Sequence, residues 1–220
     1  MKEVVLDTET TGISVKDGHR IVEIGCIELE NLSPTKNKFH CYLNPQKKVS
    51  EKAFEVHGYS DQFLSKQKIF SEVVDDFLDF IKNKRLIIHN AEFDIAHLNN
   101  ELNLLSKNKI QNEIIDTLTL AREKYPGSQV NLDALCKRYR IDNSRRTYHT
   151  ALIDCDLLAK VYINLIDQKE PTLDFNQNFE KDENKNLSTE YYKKVVSPSS
   201  QELELHKRYL NNTLKKNYFS

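Results

Sequence analysis

The stretch Asp7-Thr8-Glu9-Thr10-Thr11-Gly12 decides how this chain folds and what it does. It closes residues 3–7, a short apolar run that is typical of a buried strand. Side chains at i and i+2 of a strand point to the same face, so Asp7 and Glu9 present two carboxylates to one space. Adjacent carboxylates repel each other unless a proton or cation separates them, and hard oxygen ligands favour Mg²⁺ or Mn²⁺. The pair therefore indicates either a divalent-cation site or, in the plainer alternative, a solvated strand end, with Gly12 suited to the turn that follows.

The segments beyond this stretch predict a mixed sheet. Two further strands, residues 20–30 and 39–43, complete an antiparallel meander with short polar connections. Strands and helices then alternate, which predicts an α/β fold with parallel strands in the same sheet and helices on its faces. The predicted strands are residues 85–89 and 113–116, and the predicted helices are residues 70–82, 92–105, 117–124, 131–140 and 150–167.

The composition excludes some functional classes for this chain. The chain has 220 residues, with 32 Lys and Arg against 33 Asp and Glu, and a net charge of −1. This balance excludes a polycationic protein that coats nucleic acid by its overall field, but not a site that binds nucleic acid through metal ions. The four cysteines form no CxxC pair and lie in apolar patterns, which favours reduced thiols and a cytoplasmic protein. No apolar run is long enough for a signal segment or a membrane-spanning helix.

Two more acidic elements follow the first. Asp94 falls in the first turn of the helix after His89-Asn90, where an acid also complements the helix dipole. Asp154 follows His149 by five residues, a spacing that places the two on different faces of one helix. If both serve one site, His149 must lie on the preceding loop, and Thr150 is then placed to cap the helix.

The joint order of these elements resembles the DEDD superfamily of 3′–5′ exonucleases, and closely the family of epsilon proofreading subunits of bacterial DNA polymerase III. The resemblance covers roughly residues 3–167, and the spacing of His149 and Asp154 places the chain in the histidine branch. It implies a ribonuclease H-like fold with a flexible C-terminal tail. The matching motifs are Asp7–Gly12, Val56-His57-Gly58, His89–Asp94, Asp116-Thr117-Leu118, Asn131–Cys136 and His149–Asp154.

The resemblance also implies the roles of the site residues. Two divalent cations, Mg²⁺ or Mn²⁺, are expected, the first held by Asp7, Glu9 and Asp154. Asp7 bridges to the second cation, Asp94 supports it, and His149 is the general base. Asp116 is expected to form hydrogen bonds at a strand end rather than to bind metal. The expected substrate contacts are Asp7, Glu9, Thr10, Thr11, Gly12, Lys52, His57, Asn90, Phe93 and Asp154.

Some of these positions carry alternatives. Relatives have an acid at the place of Lys52, and a cation there either contacts phosphate or is simply solvated. His57 is either a contact of the terminal nucleotide or an ordinary loop histidine. The Arg145-Arg146 pair either meets the nucleic-acid backbone or lies in an exposed loop.

The C-terminal part has a different composition. Residues 1–168 are predicted to form the exonuclease domain, residues 169–198 a flexible linker, and residues 199–220 a segment that docks onto the polymerase alpha subunit. Ser199 and Glu202 have capping-box spacing at the start of a helix over 199–214. Residues 170–175 resemble a sliding-clamp-binding peptide, although Glu170 replaces the usual Gln. The family also suggests a small theta subunit as a partner, and no membrane.

The implied function is proofreading: removal of mispaired 3′-terminal nucleotides, from single-stranded or frayed DNA ends, as 5′-mononucleotides. One alternative is a DEDD enzyme that trims RNA 3′ ends with the same carboxylates. Another is a catalytically silent adaptor that braces a polymerase. The sequence leaves the choice between Mg²⁺ and Mn²⁺, and between DNA and RNA, open.

Overall fold

The structure is a computed structural model that describes residues 2–144, 146, 148–166 and 198–212. The chain divides into two units, residues 1–173 and 174–220. Residues 169–197 of the predicted linker, including the expected clamp-binding peptide at 170–175, lie outside the described residues, as do residues 213–220 and Arg145.

A five-stranded mixed sheet forms the first unit, in the order β3-β2-β1-β4-β5. β1 pairs with β2, and β2 with β3, in antiparallel fashion, while β4 runs parallel to both β1 and β5. The predicted fold class is confirmed, with the meander at one side and the parallel strands at the other. The strands are β1 (Lys2–Thr10), β2 (Ile21–Glu30), β3 (Ser33–Tyr42), β4 (Arg85–Ile88) and β5 (Ile114–Asp116).

Helices cover both faces of this sheet. The predicted helices appear with shifted ends, and α1 and α2 are additional to the prediction. The segment at 70–82 divides into a 3₁₀ turn, Phe70–Glu72, and α3. The helices are α1 (Glu51–His57), α2 (Asp61–Leu64), α3 (Val74–Ile81), α4 (Ala91–Leu104), α5 (Thr117–Lys124), α6 (Leu132–Tyr139), α7 (Ala151–Leu165) and, in the second unit, α8 (Ser200–Asn212).

Alternation along β1 divides the core into two clusters. Val4 and Leu6 pack with α3 and α4, whereas Val5 packs with residues of α6 and α7. Because Asp7 and Glu9 have the parity of Val5, their side chains lie on the α7 face. The strand that builds the core therefore also aims the two acids toward the helix that carries Asp154.

Helix α8 is described by itself. The predicted capping box is present: Ser199 N donates to Glu202 Oε2 (2.7 Å), and Glu202 N donates to Ser199 Oγ (3.3 Å). Leu203, Leu205 and Tyr209 are exposed on this helix. Among the described residues, no helix combines the length and the apolar character needed to cross a bilayer.

Candidate active site

Strand β1 brings two carboxylates to the edge of the α7 face. Its register with β2 places Asp7 opposite Gly25 and Glu9 opposite Glu23. Burial raises the pKa of Asp7 well above its ordinary value, and the charges of Asp94 and Glu9 raise it further. Burial likewise raises the pKa of Glu9 to about 8, with Asp154 as the next cause. Two acids that are costly to ionise together form a place where a cation is stabilising.

Helix α7 and the loop before it complete the cluster. His149 lies on the loop, as predicted, and Asp154 lies in the first turn of α7, where it is 3% exposed. One ligand atom from each of Glu9, His149 and Asp154 lies within 4.8 Å of the others, a spacing that suits one metal ion. Burial and then the charge of Arg146 lower the pKa of His149, which keeps its ring neutral near pH 7.

Asp94 approaches the cluster from α4. Its Oδ1 accepts hydrogen bonds from Thr8 N (3.0 Å) and Thr8 Oγ1 (2.7 Å), so the carboxylate is tied to β1 directly beside Asp7. Burial raises its pKa to about 7. Asp116 is not part of this group: its Oδ1 accepts from Asn90 N and Leu118 N, which is the predicted strand-end role.

Arg146 is a site residue that the sequence reasoning did not place here. Its guanidinium binds Asp154 in bidentate fashion, Nε to Oδ1 at 2.6 Å and Nη2 to Oδ2 at 2.7 Å. It also reaches Asp133 Oδ2 (2.7 Å) and His149 Nδ1 (2.8 Å). The alternative of an exposed loop residue is wrong for Arg146, because its side chain is only 7% exposed. Contact with the nucleic-acid backbone stays a prediction. Position next to the histidine motif was the only signal that could have singled it out.

A cavity of about 450 Å³ opens beside the acids. It brings together six of the ten predicted substrate residues: Glu9, Thr10, Gly12, Lys52, His57 and Phe93. The other four, Asp7, Thr11, Asn90 and Asp154, do not line it. The Thr11 side chain is fully buried against His19 and the Arg20 amide, and Asn90 is exposed at the start of α4.

The structure shows contacts of His57 and Gly12 that could not be predicted from the sequence. His57 ends helix α1 and is 2% exposed, so the alternative of an ordinary loop histidine is wrong. Its Nδ1 accepts from Tyr59 N (3.0 Å), while Nε2 finds no hydrogen-bond partner in the part of the chain that is described. Gly12 allows a close approach: a Cβ there would lie 2.4 Å from the His19 ring.

The expectation that Thr150 caps helix α7 is wrong. Thr150 occupies the N-cap position, but its side chain makes no capping hydrogen bond. Ala151 N instead donates to Glu23 Oε2 at 2.9 Å. Glu23 was not singled out from the sequence, where it appears as one polar residue in the alternation of a strand.

Comparisons with known proteins identify the family and the relatives of this chain. The RNase_T family, described as exonuclease, matches residues 4–162. The chain is 44% identical to the DNA polymerase III subunit epsilon of Rickettsia felis over 226 residues, which cover 98% of each chain. It is 46% identical to the DNA polymerase III subunit epsilon of Salmonella typhimurium over 170 residues, 74% of this chain and 70% of the relative.

A solved structure shares the fold. The nuclease domain of 3′hExo, a DEDDh family member bound to rAMP, superposes with a TM-score of 0.65 at 17% identity, over 76% of this chain and 92% of that domain. At that identity the likeness concerns the fold alone.

Proposed function

Since this chain belongs to the RNase_T exonuclease family and, within it, to the DNA polymerase III epsilon subunits, we propose that it removes mispaired 3′-terminal nucleotides from DNA by hydrolysis at two divalent cations. The enzyme is a 3′–5′ exonuclease, consistent with a proofreading role in DNA replication. The single observation that carries the proposal is the meeting of Glu9, His149 and Asp154 within 4.8 Å, beside the buried Asp7 and Asp94.

The residues present fit divalent cations. Four carboxylates from β1, α4 and α7 converge. Burial raises the pKa values of Asp7, Glu9 and Asp94, and neighbouring carboxylates raise those of Asp7 and Glu9 further. Asp7, Glu9 and Asp154 would hold one cation, and Asp7 with Asp94 the other. Bound in pairs, Mg²⁺ or Mn²⁺ supplies charge stabilisation to the attacking and leaving oxygens of a phosphodiester.

His149 is suited to accept a proton from the attacking water. It is half-exposed, and its lowered pKa leaves the ring neutral. Arg146 Nη2 donates to His149 Nδ1, so the ring carries its proton on Nε2 while that contact lasts. Arg146 also occupies both oxygens of Asp154. We therefore infer that Arg146 gives up these partners when the loaded site works.

The cavity is the proposed seat of the terminal nucleotide. Phe93 and the apolar part of His57 offer surface for a base, and Thr10 and Gly12 offer backbone groups near the 3′ end. Lys52 is exposed at its rim, where a cation can meet a phosphate. The 5′-mononucleotide would leave by the same opening.

The partners are proposed from the family and from α8. The relatives' names place them in DNA polymerase III, which implies a DNA substrate and a polymerase complex in the cytoplasm. We propose that α8, with exposed Leu203, Leu205 and Tyr209, docks onto the alpha subunit. Binding of the clamp by residues 170–175 and of a theta subunit are further proposals of the same kind.

The test uses two single-stranded oligonucleotides of equal sequence, one DNA and one RNA, each labelled at its 3′ end. With Mg²⁺ or Mn²⁺ the protein is expected to release 5′-mononucleotides from DNA faster than from RNA, and EDTA should abolish release. Faster release from RNA would favour the trimming enzyme. No release from either, at concentrations where the oligonucleotide binds, would favour the silent adaptor.

A further inference from the structure

Glu23 is a buried acid that the chemistry above does not use. It lies on β2 and is 0% exposed. Its Oε1 accepts from His40 Nε2 (2.7 Å), and its Oε2 accepts from Tyr59 Oη (2.8 Å) and Ala151 N (2.9 Å). Donors from β3, from the connection between α1 and α2, and from α7 thus occupy both oxygens, so this carboxylate connects three segments of the chain and is not a metal ligand.

One of these hydrogen bonds fixes the start of α7. Ala151 is fully buried, and its amide is one of the helix donors that have no partner within the helix. Thr150 does not satisfy it, and Glu23 does. A carboxylate at this end also complements the helix dipole. A Cβ on Gly25, two residues along β2, would lie 2.5 Å from the Ala151 carbonyl carbon, so the backbone of α7 rests directly on this strand.

The hydrogen bond from Tyr59 connects this helix with one wall of the cavity. Tyr59, which donates to Glu23, stacks on His57 with ring centroids 4.8 Å apart. On the side of α7, His149 N donates to Val56 O (3.0 Å). Glu23 therefore contacts both the segment around His57 and the segment around His149, and these two segments also contact each other.

We propose that Glu23 is a positioning residue of the exonuclease site: by holding the Ala151 amide it sets the place of Asp154 and His149 relative to Glu9. The inference rests on the proposed function, which it deepens. Displacement of catalytic groups by about 1 Å lowers rates by about 10²-fold, so one hydrogen bond at the start of α7 has a measurable effect on turnover.

A rival explanation is electrostatic. Glu23 faces Glu9 directly across the β1–β2 register, so its charge alone influences that ligand. Two variants separate the explanations. Glu23→Gln keeps the length and an acceptor oxygen for Ala151 N and Tyr59 Oη, but removes the charge, and His40 can accept from the new amide in its other tautomer. Glu23→Asp keeps the charge but is one methylene too short to reach Ala151 N.

The measurements are kcat and KM on the DNA oligonucleotide and the dissociation constant of Mn²⁺ determined by titration calorimetry. For Glu23→Asp we expect kcat to fall about 30-fold, KM to stay within about threefold, and Mn²⁺ to bind about tenfold more weakly. Glu23→Gln should stay within about threefold of the parent in all three quantities. Hydrogen exchange of the Ala151 amide should accelerate in the Asp variant only.

Glu28→Asp is the matched control, since Glu28 is a buried acid on the same strand that binds Lys84 and lies opposite Val4, toward the other end of β1 from Glu9. It should leave kcat and Mn²⁺ affinity unchanged. An active Glu23→Asp with parental Mn²⁺ affinity would overturn the inference, and so would a Glu23→Gln variant as impaired as Glu23→Asp. An inactive parent protein would instead overturn the proposed function. The Mn²⁺ affinity and the hydrogen exchange would still test whether Glu23 positions the start of α7.

Discussion

Carboxylates are buried at both ends of strand β1, but those at one end are paired with Lys or Arg and most of those at the other end are not. At the first end, Glu3 and Glu28 are 4% and 2% exposed. Lys84 binds Glu28 at 2.6 Å, and Arg85 binds Glu3 at 3.3 Å. At the other end lie Asp7, Glu9, Asp94 and Asp154. Among the described residues, the ion pairs that these four acids make with Lys or Arg come from a single side chain, Arg146, which binds Asp154.

The difference between the paired and the unpaired end appears in the pKa values of two glutamates, Glu28 and Glu9. Lys84, with help from Asn37, lowers the pKa of Glu28 to about 2, whereas burial near other acids raises the pKa of Glu9 to about 8. A buried charge without a partner opposes folding. The excess of acid at one end therefore favours the binding of cations, whereas the acids of the other end are neutralised by Lys84 and Arg85.

Removal of one charge at the acid-rich end should have the largest effect on activity. Asp7→Asn keeps the shape of the side chain and removes a carboxylate that two cations would share. Release of mononucleotides should fall at least about 10³-fold, because the charge stabilisation by both cations is weakened. The metal-free protein should melt at the same temperature or a few degrees higher, since like charges are separated.

Asp79→Asn, on the exposed side of α3, is the control and should change neither quantity. Retained activity in Asp7→Asn would mean that the acid-rich end does not hold the working cations. A large loss of melting temperature would mean that Asp7 is instead a structural residue like Glu28.

His149 tests whether the acid-rich end does more than hold cations. His149→Gln should lower kcat about 10²-fold, because a general base is lost, with little change in the Mn²⁺ dissociation constant. Calorimetric titration of Mn²⁺ alongside the kinetics separates the two roles. If Mn²⁺ affinity falls as far as turnover, His149 serves as a ligand rather than as a base.

Much of the acid-rich end could be predicted from the sequence. The elements that the prediction missed were missed for physical reasons. The period of two in β1 places Asp7 and Glu9 on one face, and the five-residue spacing places His149 on a loop. The start of β3 is missed because residues 33–38 are polar, as an edge strand facing water permits. Helices α1 and α2 are too short for an apolar period to be recognised.

The missed site residues have a different cause. Glu23 and Arg146 act through partners that are distant in the chain or in a loop: Glu23 meets Ala151 across 128 positions. Spacing rules describe neighbours within one element, so they cannot report a contact of this kind. The same holds for Gly12, whose need for a small residue comes from the ring of His19.

The dependence of stability on pH should distinguish the two ends. Raised pKa values mean that the folded protein binds protons more tightly than the unfolded chain. For Glu9, with a pKa of about 8, and Asp94, with a pKa of about 7, the stabilising effect is full below pH 4 and is lost as the pH rises to 8. Glu28, with a pKa of about 2, loses its contribution only as the pH falls below its ordinary value of 4.5.

Thermal unfolding between pH 5.5 and 8.5 measures this directly. In EDTA the melting temperature should fall as the pH rises, and saturating Mn²⁺ should raise it by roughly 5–10 °C at pH 8.5 and by less at pH 5.5. The Asp7→Asn variant should show a weaker Mn²⁺ effect. A Mn²⁺ effect that is equal at both pH values would contradict the assignment of raised pKa values to the cation site.

Glu28→Gln should have the smallest effect and should be confined to stability. The variant leaves Lys84, which is 15% exposed, without its carboxylate, and Lys2 is too exposed to be affected much. We expect a loss of about 1–2 kcal/mol, or roughly 2–6 °C, with kcat within about twofold of the parent. Glu30→Gln, at the exposed end of the same strand, should change the melting temperature by less than about 1 °C. A fall in kcat for Glu28→Gln would show that the paired end also shapes the acid-rich end through β1 and β2, and the two ends could then no longer be treated as independent.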